Sequence, residues 1–383
     1  MICSKDPQVI IRQLETTNKL ELKNTGKVTF HLGCDFFRDD DGVLCYGPRK
    51  YIERITFMYT DMFGVKPKQN MSSPLEKGDH PELDTSPLLD DAGVAKYQSL
   101  IGALQWTISL SRFDIGTAVM TMSRFRVAPR EGHLERVRRI VGYLVKMKHA
   151  FVRVRTDEPD YSSLEKPKKD WAYSVYGKVK ESLPHKAPKP LGKRVVHTAY
   201  VDANLQHDLT TGRSVTGVLH FFNKTPVDWY CKLQSTVETA TYGSEFIAAK
   251  TAAQQTMGLR NYLRYLGVEV HGPTHLFGDN GSVVTSATMP LSPLKMRHLS
   301  LAYHYTREAA ASDAVDFHFI PGDRNPADIV SKHWGYQQIW PMLQPMLFWQ
   351  GDTALLLVDK ENRPSKQKGS DESSIIRTDS SSS

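Results

Sequence analysis

Cysteine is scarce in this chain of 383 residues. There are four, Cys3, Cys34, Cys45 and Cys231, and no CxxC pair. That argues against a zinc site or a disulfide framework and fits a reducing compartment. Long apolar runs are missing as well, so no stretch reads as a transmembrane helix and no membrane partner is expected. The first residues, MICSKDPQVIIRQLE, contain no signal-peptide h-region. They read instead as part of an amphipathic helix, with Val9, Ile10 and Leu14 at helical spacing, and the chain is expected to begin part-way through a larger domain. No internal repeat is visible. What is present is a 40% hydrophobic fraction, sufficient for ordinary cores, and a length that suggests two or three domains. The net charge of +7 and pI ≈ 9.0 suit a polyanionic partner such as nucleic acid, and equally an ordinary basic soluble protein.

Two β-like runs, Val28–Phe37 and Val43–Tyr46, flank DDDG, a good hairpin turn, and an amphipathic helix should follow from about Arg49. The polar, Pro-bearing stretch from Lys66 to Asp91 reads as loop. A helical block then runs from Val94 to Lys148, restarting at Asp114 as an N-cap. Within it Arg136, Arg138, Arg139, Lys146 and Lys148 decorate one helix, either to track phosphates or as a solvated face. From Thr156 the chain becomes Lys- and Pro-rich, without periodicity, and reads as a linker; KPKK inside it is a candidate localisation signal. The end, SKQKGSDESSIIRTDSSSS, is low-complexity and is expected to be disordered.

The stretch HLFGDNGSVV, His275 to Val284, poses a choice. Asp-Asn-Gly between apolar runs is a hairpin signal, since Asn and Gly tolerate φ > 0. Alternatively a buried strand ends at Asp279 and a helix starts behind it, capped by Asn280 or Ser282. The neighbours decide. VVHTAYVDA, SVTGVLHFF and PVDWYCK are three strands with short connections, hence an antiparallel meander. A long Ala-rich helix follows, ending at Gly267, with Leu259, Tyr262, Leu263 and Leu266 as its late buried face. Next come the strand PTHLFGD, helices at NGSVVTSAT and SLAYHYTREAAAS, the strand AVDFHFIPGD, and a last helix beginning at NPADIVSKHW with Pro326 in its first turn. The order βββ-α-β-α-α-β-α favours parallel pairing after the meander and speaks against a hairpin at DNG.

Four acidic residues then fall at element ends or near helix starts: Asp202, Glu245, Asp279 and Asp328. Taken singly they suit turns, caps and a helix-dipole partner. Brought together, such carboxylates repel unless divalent cations neutralise them, and hard oxygen ligands without a Cys or His cluster favour Mg²⁺ or Mn²⁺. Two such ions about 4 Å apart activate water and stabilise the leaving oxygen in phosphodiester cleavage.

At these residues the sequence resembles the ribonuclease H domain of copia-type (Pseudoviridae) retrotransposon polyproteins. The matching stretches are YVDANLQHDLTTGRSVTGVLHFF, STVETATYGSEFIAAKTAAQQTMGLRNYLRYLG, HLFGDNGSVV, KMRHLSLAYHYTREA and FIPGDRNPADIVSKHW. Upstream, FHLGCDFFRDDDGVLCYGPRKYIERI is similar to the end of a reverse-transcriptase palm and the start of its thumb. YQSLIGALQWTISLSRFDIGTAVMTMSRF and HLERVRRIVGYL resemble the connection between polymerase and ribonuclease H. The polymerase motif Y-x-D-D is absent, so no reverse transcription is expected of this chain alone. Asn204 stands where the family has a further acidic residue.

The resemblance implies an α/β chain: a mixed five-stranded ribonuclease H-like sheet flanked by helices, preceded by a mostly helical thumb/connection-like region. The expected division is 1–80 palm end and thumb-like, 81–155 connection, 156–194 linker, 195–350 ribonuclease H-like and 351–383 disordered tail. It implies hydrolysis of the RNA strand of RNA–DNA hybrids with two Mg²⁺ ions, Mn²⁺ being a substitute. Asp202 would bridge both ions, Glu245 and Asp279 hold the first, and Asp328 the second. A hybrid is recognised mainly by backbone shape and 2′-hydroxyls; Arg213, Ser214, Asn280 and His298 are candidates to touch it. The missing polymerase portion or another Pol chain is the expected protein partner. The expected location is the cytoplasm, in a virus-like particle, and also the nucleus. Two other classes compete. A retroelement fragment kept as a non-catalytic nucleic-acid-binding or scaffolding module would be inert with metal. An integrase-type core would place its glutamate last, whereas here it comes second.

Overall fold

The computed structural model describes residues 6–21, 26–164 and 170–350. The expected tail, Cys3 and the KPKK motif lie outside them. The first part contains α1 (Pro7–Asn18), β1 (Phe30–His31), β2 (Cys34–Arg38), β3 (Leu44–Gly47) and α2 (Arg49–Phe63). It continues through α3 (Asp91–Ser109), α4 (Gly116–Ser123), α5 (Glu131–Lys146) and β4 (Val152–Arg153). The run expected as one strand over Val28–Phe37 is two antiparallel strands. Leu32 and Gly33, both at positive φ, form a tight turn that pairs His31 with Cys34. DDDG joins β2 to β3 as expected.

Asp114 does not cap a helix. It is buried and takes both Nε and Nη2 of the equally buried Arg112, at 2.8 and 2.7 Å, while the Tyr143 hydroxyl donates to it at 2.8 Å. A buried guanidinium needs such a partner, and that need outweighs capping. The cations of α5 are likewise engaged internally. Arg136 binds Asp79 and Asp84, Arg139 binds Glu76, Arg138 lies over the Phe63 ring and Lys146 is buried. Arg136 and Arg139 pin the polar loop that precedes α3, while Arg138 and Lys148 stay partly exposed and pair with Glu135 and Glu53.

The second part contains β5 (His197–Asp208), β6 (Arg213–Phe222), β7 (Thr225–Leu233), α6 (Thr241–Tyr265), β8 (Thr274–Gly278), α7 (Gly281–Thr288), α8 (Ser300–Ala311), β9 (Val315–Phe319) and α9 (Tyr336–Leu347). The sheet order is β7-β6-β5-β8-β9. The meander β5–β6–β7 is antiparallel, and β8 and β9 add in parallel to β5, each after a helical crossover. This is the mixed ribonuclease H-like sheet the motifs imply. Alternation splits β5 between two cores. Ala199, Val201 and Ala203 meet Phe246, Ala248, Ala249, Ala252 and Ala253 of α6, small residues that let helix and sheet approach closely. On the opposite face, Leu219 and Phe221 of β6 join Ile329, Val330, Trp334 and α9 in the same core as α2–α5.

Two expectations fail within this part. The late face of α6 buries Ala252, Ala253, Thr256, Arg260 and Leu263, while Tyr262 and Leu266 are exposed. Arg260 turns inward because Glu181 reaches it at 2.8 Å. The segment at NPAD is not the start of a long helix but a 3₁₀ turn, Pro326–Val330; α9 starts only at Tyr336. The stretch 156–194 has no helix or strand among its described residues, yet it is fastened to the sheet. Tyr161 donates to or accepts from Thr198 at 2.9 Å, Trp171 is buried under Arg307, and Glu181 binds Arg260 and Arg264.

Candidate active site

Parallel register brings the first two carboxylates together. Val201 of β5 pairs with Gly278 of β8, so Asp202 and Asp279, each one residue further on, stand on neighbouring strands. The chain turns sharply after Asp279. Gly278 ends the strand, and the Asn280 side chain accepts from the Ser282 and Val283 amides at 3.1 and 3.2 Å, capping α7. DNG is therefore a strand-to-helix junction. Glu245 enters from the second turn of α6, buried, with the Ala203 amide as a hydrogen-bond donor. One oxygen each from Asp202, Glu245 and Asp279 lies within 4.8 Å of the others.

Asp328 arrives on the 3₁₀ turn. Asn325, fully buried, caps that turn at Ala327 N and donates to Val201 O at 2.9 Å, clamping the turn to β5. Ser331 donates to Asp202 Oδ2. Lys332, one helical turn after Asp328, donates to Asp328 Oδ1 at 2.6 Å and to Asp202 Oδ1 at 3.2 Å. Gly217, opposite Asp202 on β6, leaves room for this strap. A Cβ there would lie 2.8 Å from Ser331 Cβ and 3.0 Å from Ala327 O.

The charges are crowded. Burial, then Asp202 and Asp279, push the Glu245 carboxyl up to about 9. Burial and Asp202 raise Asp279. Asp328 is pushed up to about 6 by burial and Asp202, with Lys332 opposing. Burial works against the Lys332 charge, but Asp202 and Asp328 outweigh it and raise its pKa. One ammonium cannot balance four carboxylates. An all-oxygen donor set of this kind fits a hard divalent cation.

The other sequence candidates are placed differently. Asn280 is beside Asp279, its side-chain oxygen engaged in the cap. Arg213 and Ser214 begin β6, three to four residues from Gly217, about 10–13 Å along the strand. Arg213 is exposed, whereas Ser214 is buried and accepts from the Gln206 amide at 3.4 Å, out of reach of a phosphate. His298 is exposed and meets Glu238, buried ahead of α6, at 2.9 Å. Sequence reasoning missed Asn325, Ser331, Lys332 and Glu238. For Lys332 the signal was available: a cation four residues after Asp328 within NPADIVSK.

No protein-family model matches the chain. It is 25% identical over 341 residues, 87% of its length, to the retrovirus-related Pol polyprotein from transposon TNT 1-94 of Nicotiana tabacum. It is 22% identical over 333 residues to that from transposon RE1 of Arabidopsis thaliana. A putative transposon Ty5-1 protein of Saccharomyces cerevisiae shares 29% identity over 164 residues, 41% of this chain and 49% of its own. The chain spans about a fifth of the length of the two plant polyproteins, 22% and 20%. Among solved structures, the N-terminal RNase H domain of a Mycobacterium tuberculosis protein aligns with 39% of this chain and 98% of its own, at 13% identity and TM-score 0.29. LC11-RNase H1 in complex with RNA/DNA hybrid aligns with 42% and 99%, at 12% identity and TM-score 0.28. Over 87% of its length, then, the homologues of this chain are retrovirus-related Pol polyproteins of copia-type transposons.

Proposed function

We propose that the chain is a ribonuclease H-type endonuclease that hydrolyses the RNA strand of RNA–DNA hybrids. The observation that carries this is the meeting of Asp202, Glu245 and Asp279 within 4.8 Å, with Asp328 joined to Asp202 through Lys332. Asp202, Glu245, Asp279 and Asp328 would hold Mg²⁺, two ions in the full reaction. The bound ions would supply an activated water and charge neutralisation at the phosphodiester. Asn325 and Ser331 hold the Asp328 turn against Asp202, fixing the donor set before metal or substrate arrives. Lys332 keeps positive charge between Asp202 and Asp328. Asn280 at the head of α7 offers its amide nitrogen and a helix N-terminus on the Asp279 side, a setting that favours a phosphate.

A labelled RNA–DNA hybrid incubated with the full chain tests this. Cleavage is expected with Mg²⁺, loss with EDTA, and a drop of at least about 100-fold for Asp279→Asn. If wild type and Asp279→Asn are equally inert with both Mg²⁺ and Mn²⁺, the nuclease reading falls and a non-catalytic hybrid-binding module takes its place.

A further inference from the structure

A second group of metal-ligating side chains lies on the edge of the sheet, four residues upstream of Asp279 on β8. The parallel register sets His275 opposite Asp316 and Phe277 opposite His318. Alternation along both strands puts His275, Asp316 and His318 on one face. His275 Nδ1 and His318 Nε2 are 3.0 Å apart, and His318 Nε2 is 3.5 Å from Asp316 Oδ2. One ligand atom from each residue falls within 4.8 Å of the other two. In a tetrahedron with metal–ligand bonds of about 2.0–2.1 Å, neighbouring ligand atoms stand about 3.3–3.4 Å apart. The two measured edges bracket that value.

The donor chemistry differs from that of the carboxylate cluster. Two imidazole nitrogens and one carboxylate oxygen suit a borderline ion, whereas four carboxylates suit a hard one. The surroundings suit a resident ion too. The Tyr161 ring, 4.6 Å from His275, covers one side. A cavity of about 940 Å³, lined in part by Tyr161, His271, His275 and Asp316, adjoins two of the three donors. His318 is buried, and His275 and Asp316 are half-buried, so the donors are held by the strands and not by a mobile loop.

We propose that His275, Asp316 and His318 bind one Zn²⁺ ion, with water as the fourth ligand. The ion fastens the edge strand β9 to β8. This site needs no cysteine and is independent of the hybrid-cleaving reading. About 13 Å of strand separates His275 from Asp279.

The test is equilibrium dialysis of the metal-free full chain against Zn²⁺ in saturating Mg²⁺, with bound zinc counted by mass spectrometry. Co²⁺ replacing Zn²⁺ gives a visible absorption band as a second readout. Wild type is expected to hold one equivalent of zinc that Mg²⁺ does not displace. His275→Ala and Asp316→Asn should each weaken binding at least about tenfold and lose the Co²⁺ band. Asp279→Asn should leave both intact. Thermal midpoints in EDTA verify that the variants are folded, Asp316→Asn being the near-isosteric one. The proposal is overturned if wild type holds no zinc, if both site variants bind as wild type does, or if Asp279→Asn abolishes binding while His275→Ala retains it.

Discussion

Glu245 shows most clearly what the site demands of single residues. Its carboxyl is buried beside Asp202 and Asp279 and sits at about 9. A carboxylic acid raised in the folded state stabilises fully below its unfolded value, near 4.5, and that contribution is lost as pH rises toward about 9. In the metal-free protein the Glu245 contribution should therefore shrink across this window, because the folded state keeps a proton there that the unfolded chain gives up. Glu245→Gln keeps the shape and removes the charge. Its midpoint in EDTA should exceed that of wild type by a few degrees at pH 8, ~1 kcal/mol being worth about 2–4 °C at this size, and the gap should close toward pH 4.5. The same variant should fail to cleave a hybrid. A thermal scan in EDTA at several pH values reads the first effect, and an equal midpoint at pH 8 would sink the argument.

At the level of elements, the strap Asn325–Lys332 and the strand beneath it decide the geometry. Gly217 is the contact point. Gly217→Ala forces its new methyl into Ser331 and Ala327, which costs about 1–3 kcal/mol as overpacking. It should also lift Asp328 and Ser331 off Asp202, lowering kcat about 100-fold with a smaller change in KM, since small misplacements of catalytic groups are costly. Steady-state kinetics on a hybrid separates this from a purely structural defect, which would leave kcat per folded molecule unchanged. The strap also marks where sequence reasoning succeeds and stops. Alternation in SVTGVLHFF and the helix-like run after DNG were enough to place β6 and to choose a strand-to-helix junction at Asp279, because both are local signals. The 3₁₀ turn at NPAD was not legible. Its Pro and Asp favour a helix start, whereas in the fold the turn is tied to β5 by long-range bonds from Asn325 to Val201 O and from Ser331 and Lys332 to Asp202. Asp114 misled for the same reason: its partner Arg112 is buried by tertiary packing that no local pattern encodes.

Across the whole molecule, the helical part and the part built on the five-stranded sheet meet at a histidine cluster. His207, on β5, lies 3.2 Å from Thr121 of α4, and its ring is 4.7 Å from that of His333. Burial, foremost, brings His207 down to about 4 and His333 to about 3. A histidine depressed by folding stabilises fully above its unfolded value, near 6.5, and that contribution is lost as pH falls through the folded one. The share of stability that these two histidines contribute should drop as pH falls from 6.5 toward about 4. Glu181 adds its own loss lower down, since Arg260 and Arg264 outweigh its burial and hold it at about 2. His333→Gln should flatten the decline. Unfolding midpoints between pH 7 and pH 4 check this, and parallel curves for the two proteins would refute it.

The core shared by the two parts has a further bearing. Ile329 and Val330, which follow Asp328 directly, are plugs in the same core as α2–α5. The fourth carboxylate is thus mounted on the neighbour's foundations. Cutting the chain between the halves would strip apolar cover from β6 and α9 and unseat Asp328 in the same stroke. The helices α2–α5 and the five-stranded sheet are in this sense one mechanical unit, and a loss of packing in either should be felt at the carboxylates.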